Sequence, residues 1–170
     1  MVEAKPEVQE GLLELSRRLL MNDLKIEVEK VILKTLNKDN YGQICDFAED
    51  YESPVLAEQC AKYIVNKQIK LDWKKLEKQP SVAACFAKHV RLDYVTQSNF
   101  KQLCHLAQHI SSNPLAEICA QFIVKQNIGL LWEEMKKIPI VTSAVHKMLM
   151  EKKPKLGMSY LMLMKAVKMA

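Results

Sequence analysis

The sequence predicts an all-α protein built from two tandem copies of one helical repeat. Only four glycines and six prolines occur in 170 residues, too few for the frequent tight turns of an all-β fold. Residues 40–80 align without a gap to residues 99–139 at an offset of 59, and 17 of the 41 aligned positions are identical. Such a match predicts a short, right-handed α-solenoid-like stack with flanking terminal helices.

The repeat divides the chain into four predicted parts within a single helical domain, residues 1–170. These parts are the N-terminal helices (1–36), repeat one (37–95), repeat two (96–150) and a C-terminal apolar helix (157–170). The N-terminal part is predicted as two helices broken near Asn22-Asp23. The triplet at residues 31–33 matches residues 90–92 at the same offset, so its second helix is predicted to correspond to the third helix of the repeat.

Each repeat is expected to begin with an asparagine N-cap, Asn40 or Asn99, whose side chain satisfies backbone N–H groups of the first turn. Ser53-Pro54 predicts an N-cap followed by proline at the first position of the second helix. Asn113-Pro114 predicts the same device one residue later in repeat two. A bent segment, Ile69 to Trp73, then leads through a short helical turn and a proline to a third helix near Ser81 to Tyr94.

The second helix of each repeat is predicted to bury one face, because its apolar side chains recur at helical spacing. The predicted inward positions are Leu56, Cys60, Tyr63 and Ile64, with Leu115, Cys119, Phe122 and Ile123 as equivalents. Small pairs, Ala57 with Ala61 and Ala116 with Ala120, allow close helix approach. Trp73 and Trp132 occupy equivalent positions, which favours a shared packing role over ligand stacking.

A family resemblance rests on Leu56 to Trp73 with Pro80, and on Leu115 to Trp132 with Pro139. Each stretch places Cys and Ala on a helix face, closes in an aromatic-Ile-Val triplet and continues into a hydrophobic-x-hydrophobic-x-Trp segment. This pattern resembles the BACK domain, or a closely related short α-solenoid repeat. BACK domains follow BTB domains in many adaptors of cullin-based ubiquitin ligases.

The resemblance implies a non-enzymatic scaffold or adaptor that recruits a substrate or partner to a ubiquitin-ligase-type assembly. The 170 residues hold no BTB domain, which supplies most of the cullin contact in that family. The resemblance therefore implies helical architecture and a scaffold role rather than direct cullin binding by this chain.

The five cysteines are expected to be reduced, structural thiols. Their odd number and their helix-interior settings favour a cytoplasmic or nuclear location, and no apolar run approaches the length of a membrane span. Cys104, His105 and His109 come nearest to a metal-binding pattern. Repeat one has Asp46 and Asp50 where the histidines stand, and no third ligand is evident, so a solvated polar face is the preferred interpretation.

No catalytic motif occurs in the chain. The sequence has no nucleophile elbow, P-loop, glycine-rich dinucleotide turn or HExxH pattern, and its acids and bases are scattered over helix surfaces. We therefore expect no catalytic residues, no cofactor and no metal, and a protein that is not an enzyme.

The C-terminal region is the candidate partner-binding site. The formal net charge of the chain is +5, and residues 133–170 carry all of it, with eight lysines against three glutamates. Methionine-rich apolar surfaces adapt to varied protein partners. The candidate residues are Lys152, Lys153, Lys155, Met158, Tyr160, Leu161, Met162 and Met164.

Two roles stay open for the apolar helix of this region. It either covers repeat two near Ile140, Val141, Ala144 and Val145, or it docks on another chain, and a homo-oligomer is compatible with either. The alternative function is a basic helical module that binds nucleic acid or an acidic protein surface through the lysines, chiefly Lys147, Lys152, Lys153 and Lys155. The preferred interpretation of these lysines is a solvated face.

Overall fold

The computed structural model describes residues 5–126 and 137–151, and within these ranges the chain is helical without a β-strand. The all-α prediction is confirmed. The elements are α1 Pro6–Arg18, α2 Asn22–Lys34, α3 Tyr41–Asp50, α4 Pro54–Asn66, α5 Trp73–Leu76, α6 Pro80–His89, the 3₁₀ helix η1 Leu92–Tyr94, α7 Phe100–His109, α8 Asn113–Gln126 and α9 Pro139–Glu151. Across these two ranges no helix is both long and apolar enough to span a bilayer.

The chain divides into two compact units, Met1–Phe86 and Ala87–Ala170, with the boundary inside α6. In unit one, α1 packs on α2, while α2 and α3 pack on α4. In unit two, α7, α8 and α9 pack on one another and η1 packs on α8. Fully buried side chains form each core, namely Leu13, Ile32, Leu56, Ile64 and Phe86 in unit one and Phe100, Leu103, Leu106, Leu115 and Ile123 in unit two.

The sequence repeat recurs in the bounds and turns of the elements. Helices α3 and α7 both contain 10 residues, and α6 and α9 both begin at a proline. The residues before α3 and α7, Asn40 and Asn99, have the same backbone angles, φ −110° and ψ −7°. Positions 59 residues apart therefore share local backbone structure as well as residue type. The right-handed stacking of the repeats stays a prediction.

The prediction that the side chains of Asn40 and Asn99 cap the helices that follow them is wrong. Neither side chain accepts a hydrogen bond from the helix that follows. Asn40 Oδ1 instead accepts from the backbone N of Asn37, and Asn99 Oδ1 from that of Thr96, each at 2.8 Å. With ψ near zero, each asparagine already has helical geometry rather than the extended backbone typical of a capping residue. Their side chains therefore stabilise the preceding turn.

The predicted serine cap of α4 is confirmed. The prediction that the cap of the equivalent helix in repeat two lies one residue later, at Asn113, is wrong. Ser53 Oγ accepts from the backbone N of Leu56 at 3.1 Å. In repeat two, Ser112 Oγ accepts from Leu115 N at 3.4 Å, and Asn113 is the first residue of α8. The caps therefore stand at equivalent positions. A proline is accepted at either of the first two helical positions, since neither N–H has an intrahelical partner.

The predicted break in the N-terminal part is confirmed, because α1 ends at Arg18 and α2 begins at Asn22. The third helix of repeat one is shorter than predicted and ends at His89. Arg91 then adopts an extended backbone, φ −122° and ψ 164°, which ends the helical geometry before η1. The counterpart α2 continues to Lys34, so the two segments correspond only in part.

The predicted inward positions of α4 and α8 are buried, with one exception. Tyr63 is half-buried, whereas its equivalent Phe122 is 5% exposed and packs against Phe100 with ring centroids 5.3 Å apart. Trp73 is likewise half-buried and meets Phe86 edge-on, with centroids 6.3 Å apart. Trp73 thus packs at the margin of the unit-one core. Trp132 lies outside the described residues.

Candidate interaction groove

Unit two contains a groove of about 580 Å³ formed by the end of α7 and one face each of α8 and α9. This volume is within the usual range for ligand-binding clefts. The described residues that line the groove are Gln108, Asn113, Glu117, Pro139, Ile140, Ser143, Ala144 and Lys147. We call this surface the α8–α9 groove.

The pattern of α9 explains why one of its faces is available to the groove. Val141, Val145 and Leu149 recur at four-residue intervals and are buried, at 0%, 0% and 2% exposure. The adjoining positions Ile140 and Ala144 are half-buried and line the groove. Side chains four residues apart share one helix face, so these two present a short apolar ridge.

Two side-chain contacts position α9 against its neighbours. Gln108 Oε1 in α7 accepts from the backbone N of Ile140 at 3.3 Å, satisfying one of the unpaired N–H groups of the first turn of α9. Further along, Lys147 Nζ donates to Glu117 Oε1 in α8 at 3.2 Å. Glu49, the equivalent of Gln108, makes a similar contact in unit one, where its Oε1 accepts from Val82 N at 2.9 Å, one residue beyond the equivalent of Ile140.

The charges of the described lining residues cancel. Lys147 and Glu117 form an ion pair, with side-chain exposures of 63% and 49%, and the remaining lining residues are uncharged. Pro139, Ile140 and Ala144 add apolar surface. A neutral groove that combines apolar ridges with amide and hydroxyl groups suits a polypeptide segment, whereas a phosphate backbone requires an excess of lysine or arginine.

Ser143 carries the hydroxyl group of the lining that could in principle act as a nucleophile. The described lining residues include no histidine that could activate it as a general base. Across residues 5–126 and 137–151, no three His, Cys, Asp or Glu side chains are close enough to hold a metal ion. His105 and His109 are exposed on α7, and the neighbouring Cys104 is buried.

The cysteines form two equivalent thiol pairs. Cys60 is hydrogen-bonded to Cys45 in unit one, and Cys104 to Cys119 in unit two. This hydrogen bond, together with burial, raises the pKa of Cys60 and of Cys104 far above the ordinary value for a thiol. None of the five cysteines is in a disulfide, and Cys85 alone among them is half-buried rather than buried.

The partner-binding residues predicted from the sequence lie outside the described part of the chain. They are Lys152, Lys153, Lys155, Met158, Tyr160, Leu161, Met162 and Met164. Their predicted neighbours in repeat two separate into two groups. Ile140 and Ala144 line the α8–α9 groove, whereas Val141 and Val145 are fully buried.

Sequence reasoning missed a second surface, on α1. Val8, Leu15 and Leu19 are 51%, 45% and 57% exposed, and Leu12 is half-buried. Their spacing places Val8, Leu12 and Leu15 on one face of α1, with the C-cap residue Leu19 in line with them, so the signal is present in the sequence. We call these four residues the α1 stripe.

No protein-family model, curated protein or solved structure matches the chain. The resemblance to the BACK domain therefore stays a hypothesis based on the residues quoted for it.

Proposed function

We propose that this protein is a non-enzymatic scaffold or adaptor that binds a segment of a partner protein in the α8–α9 groove. The single observation that carries the proposal is the groove itself, a cleft of about 580 Å³. It has an apolar ridge on α9, and its two charged side chains neutralise each other in an ion pair. The combination of apolar, amide and hydroxyl groups along it is typical of a protein-recognition surface.

The dimensions of the groove define the kind of segment it accepts. Ile140, Ala144 and Lys147 lie on one face of α9, and Asn113 and Glu117 lie on one face of α8. Seven residues of helix span about 10 Å, so the ridge from Ile140 to Lys147 accommodates roughly two helical turns of a partner. A short, uncharged amphipathic helix with small apolar side chains is the best match.

The rival function is binding of nucleic acid or an acidic surface through the C-terminal lysines. Phosphate binding weakens steeply with added salt, because each neutralised phosphate releases a counterion. Burial of apolar side chains in a neutral groove responds weakly to salt. The salt dependence of partner capture therefore separates the two functions.

The test compares two variants at equivalent repeat positions. Ser143→Arg places a long cationic side chain in the groove, and Ala84→Arg places the same side chain 59 residues earlier, on α6. Both positions are exposed, so neither substitution disturbs a core. We expect a partner captured by the unmodified chain at both low and high salt to be lost with Ser143→Arg and retained with Ala84→Arg.

Two results contradict the proposal. One is capture of the same partner by both variants, which would place the binding surface elsewhere. The other is capture that disappears between low and high salt, or on nuclease treatment, which favours the lysine-based rival. Circular dichroism of each variant, with a melting temperature equal to that of the parent chain, shows that lost binding is not lost folding.

The finer parts of the proposal concern cellular context. Five cysteines without a disulfide, four of them buried, suit the reducing conditions of the cytosol or nucleus. A role within a ubiquitin-ligase-type assembly rests on the BACK-like pattern of the two repeats. Identification of the captured partner by mass spectrometry tests this role directly.

A further inference from the structure

Helix α1 buries two polar side chains and leaves several of its large aliphatic side chains exposed. The buried positions are Gln9, Leu13 and Ser16, at 6%, 1% and 2% exposure. In the α1 stripe, by contrast, Val8, Leu15 and Leu19 are exposed and Leu12 is half-buried. Exposed aliphatic side chains aligned along one helix indicate an interaction surface rather than ordinary surface composition.

The spacing of the α1 stripe is symmetric about its centre. Val8, Leu12, Leu15 and Leu19 are separated by four, three and four residues, so the pattern is unchanged when the helix is reversed. A two-fold axis perpendicular to α1, passing between residues 13 and 14, would place Val8 opposite Leu19 and Leu12 opposite Leu15 of a second copy. This is the self-complementary arrangement that an isologous dimer requires.

We propose that α1 pairs antiparallel with α1 of a second copy of this chain, forming a two-fold symmetric homodimer. The stripe of each copy is covered by the stripe of the other. This surface belongs to unit one, whereas the α8–α9 groove belongs to unit two, so the inference does not depend on the proposed function.

The charges beside the stripe support self-pairing. Glu7 and Arg18 lie on the same side of the stripe and are 11 residues apart, the separation of Val8 and Leu19. Reversal of the helix brings Arg18 of one copy near Glu7 of the other, and the contact occurs twice because of the symmetry. Arg18 is 74% exposed, and its Nε donates to Glu14 Oε1 at 2.6 Å, which orients the guanidinium within its own copy.

Gly11 supplies space on the same side of the helix. A Cβ at this position would meet no other atom within 4 Å, so the surface beside the stripe is open. In the antiparallel arrangement, Leu15 of the second copy lies next to Gly11 and can approach the helix backbone closely. Small residues at a helix contact permit short interaxial distances.

The first experiment measures self-association by sedimentation equilibrium over a wide range of protein concentration. We expect the unmodified chain to be dimeric, and Leu15→Glu or Leu19→Glu to raise the dimer dissociation constant by at least about 100-fold, because each buries a charge in the apolar contact. Met150→Glu is the matched control, because Met150 on α9 is also 45% exposed. It should leave the dissociation constant unchanged.

The second experiment uses charge reversal to test the antiparallel geometry. Glu7→Arg alone and Arg18→Glu alone should each weaken their own homodimer, by roughly tenfold, because like charges then meet at two equivalent contacts. Mixing the two single variants should restore tight association, since every Arg then faces a Glu of the other copy. The double variant, Glu7→Arg with Arg18→Glu, should dimerise like the unmodified chain.

Three outcomes overturn the inference. The chain is monomeric at every concentration measured, in which case the stripe is covered by something other than a second copy. Leu15→Glu leaves association as strong as that of Met150→Glu, in which case a dimer exists but uses another surface. Mixing the single charge variants gives no gain over either one alone, in which case the helices do not pair antiparallel. Ser143→Arg should leave the dimer intact, so failure here is distinguishable from failure of the groove.

Discussion

The thiols of Cys45 and Cys60 are hydrogen-bonded to each other inside unit one, and Cys104 and Cys119 form the equivalent pair in unit two. The thiolate is the reactive form of cysteine, and these four side chains are at most 2% exposed. We therefore expect Ellman's reagent to modify only the half-buried Cys85 quickly in the native chain. All five thiols should react in denaturant. Rapid labelling of Cys60 or Cys119, mapped by mass spectrometry, would contradict this.

The same thiol pairs predict that stability falls with rising pH. The pKa of Cys60 and of Cys104 is raised in the folded chain, so both stay protonated after an unfolded thiol has ionised, near pH 8.5. The stabilisation is fully present below that pH and is lost as pH rises above it, by at most about 1.4 kcal/mol per pH unit for each thiol. Urea unfolding at pH 7, 9 and 10 measures the loss. A Cys60→Ala variant should show a shallower slope, and an equal slope would refute the assignment.

Truncation of a core aromatic residue in unit two should destabilise the protein more than truncation of an aromatic residue at the margin of the unit-one core. Phe100 is 0% exposed, and Phe100→Ala should cost about 3 to 5 kcal/mol of unfolding free energy. Trp73 is half-buried with one edge-on contact to Phe86, so Trp73→Ala should cost less, about 1 to 3 kcal/mol. Urea denaturation of both variants gives the comparison. A larger loss of unfolding free energy for Trp73→Ala than for Phe100→Ala would contradict the placement of Trp73 at the margin of the core.

The parts of the fold that follow from side-chain spacing could be predicted from the sequence. Leu56, Cys60 and Ile64 recur at helical spacing and are buried, as are their equivalents in α8. Ser53 caps α4 as predicted, because serine is favoured at the N-cap and proline at the first helical position that follows it. The buried face of each helix and the serine cap follow from the types and spacing of a few neighbouring residues, so the sequence is enough to predict them.

The parts that depend on packing and backbone angles could not be predicted. Asn40 has the right identity and position for a cap, but a ψ of −7° directs its side chain to the preceding turn. Helix α1 has two possible inward faces, and only its packing on α2 shows that Leu13 is buried while Leu15 is exposed. The α8–α9 groove arises from three separate helices, so no local pattern indicates it.

The two serine caps should contribute unequally to stability. Ser53 Oγ accepts from Leu56 N at 3.1 Å, whereas the equivalent bond of Ser112 to Leu115 N is 3.4 Å. Ser53→Ala should cost about 1 kcal/mol, and Ser112→Ala a smaller amount, because a longer hydrogen bond is weaker. Urea titrations of both variants, with exposed Ser143→Ala as the control, test the order. Equal losses, or a larger loss at Ser112, would contradict it.

Gly11→Ala should stabilise the isolated chain. Gly11 lies inside α1, where glycine costs backbone entropy, and an added Cβ would meet nothing within 4 Å. The expected gain is about 0.5 to 1 kcal/mol in unfolding free energy, measured by urea denaturation at protein concentrations too low for α1 to self-associate. Gly42→Ala is the matched control. Its Cβ would make an ordinary contact 3.6 Å from Lys75 Nζ, but Gly42 is only the second residue of α3, where helix propensity contributes less, so its gain should be smaller. A loss of stability at Gly11 would mean that its surroundings are closed rather than open, and would remove the space that the antiparallel pairing of α1 requires.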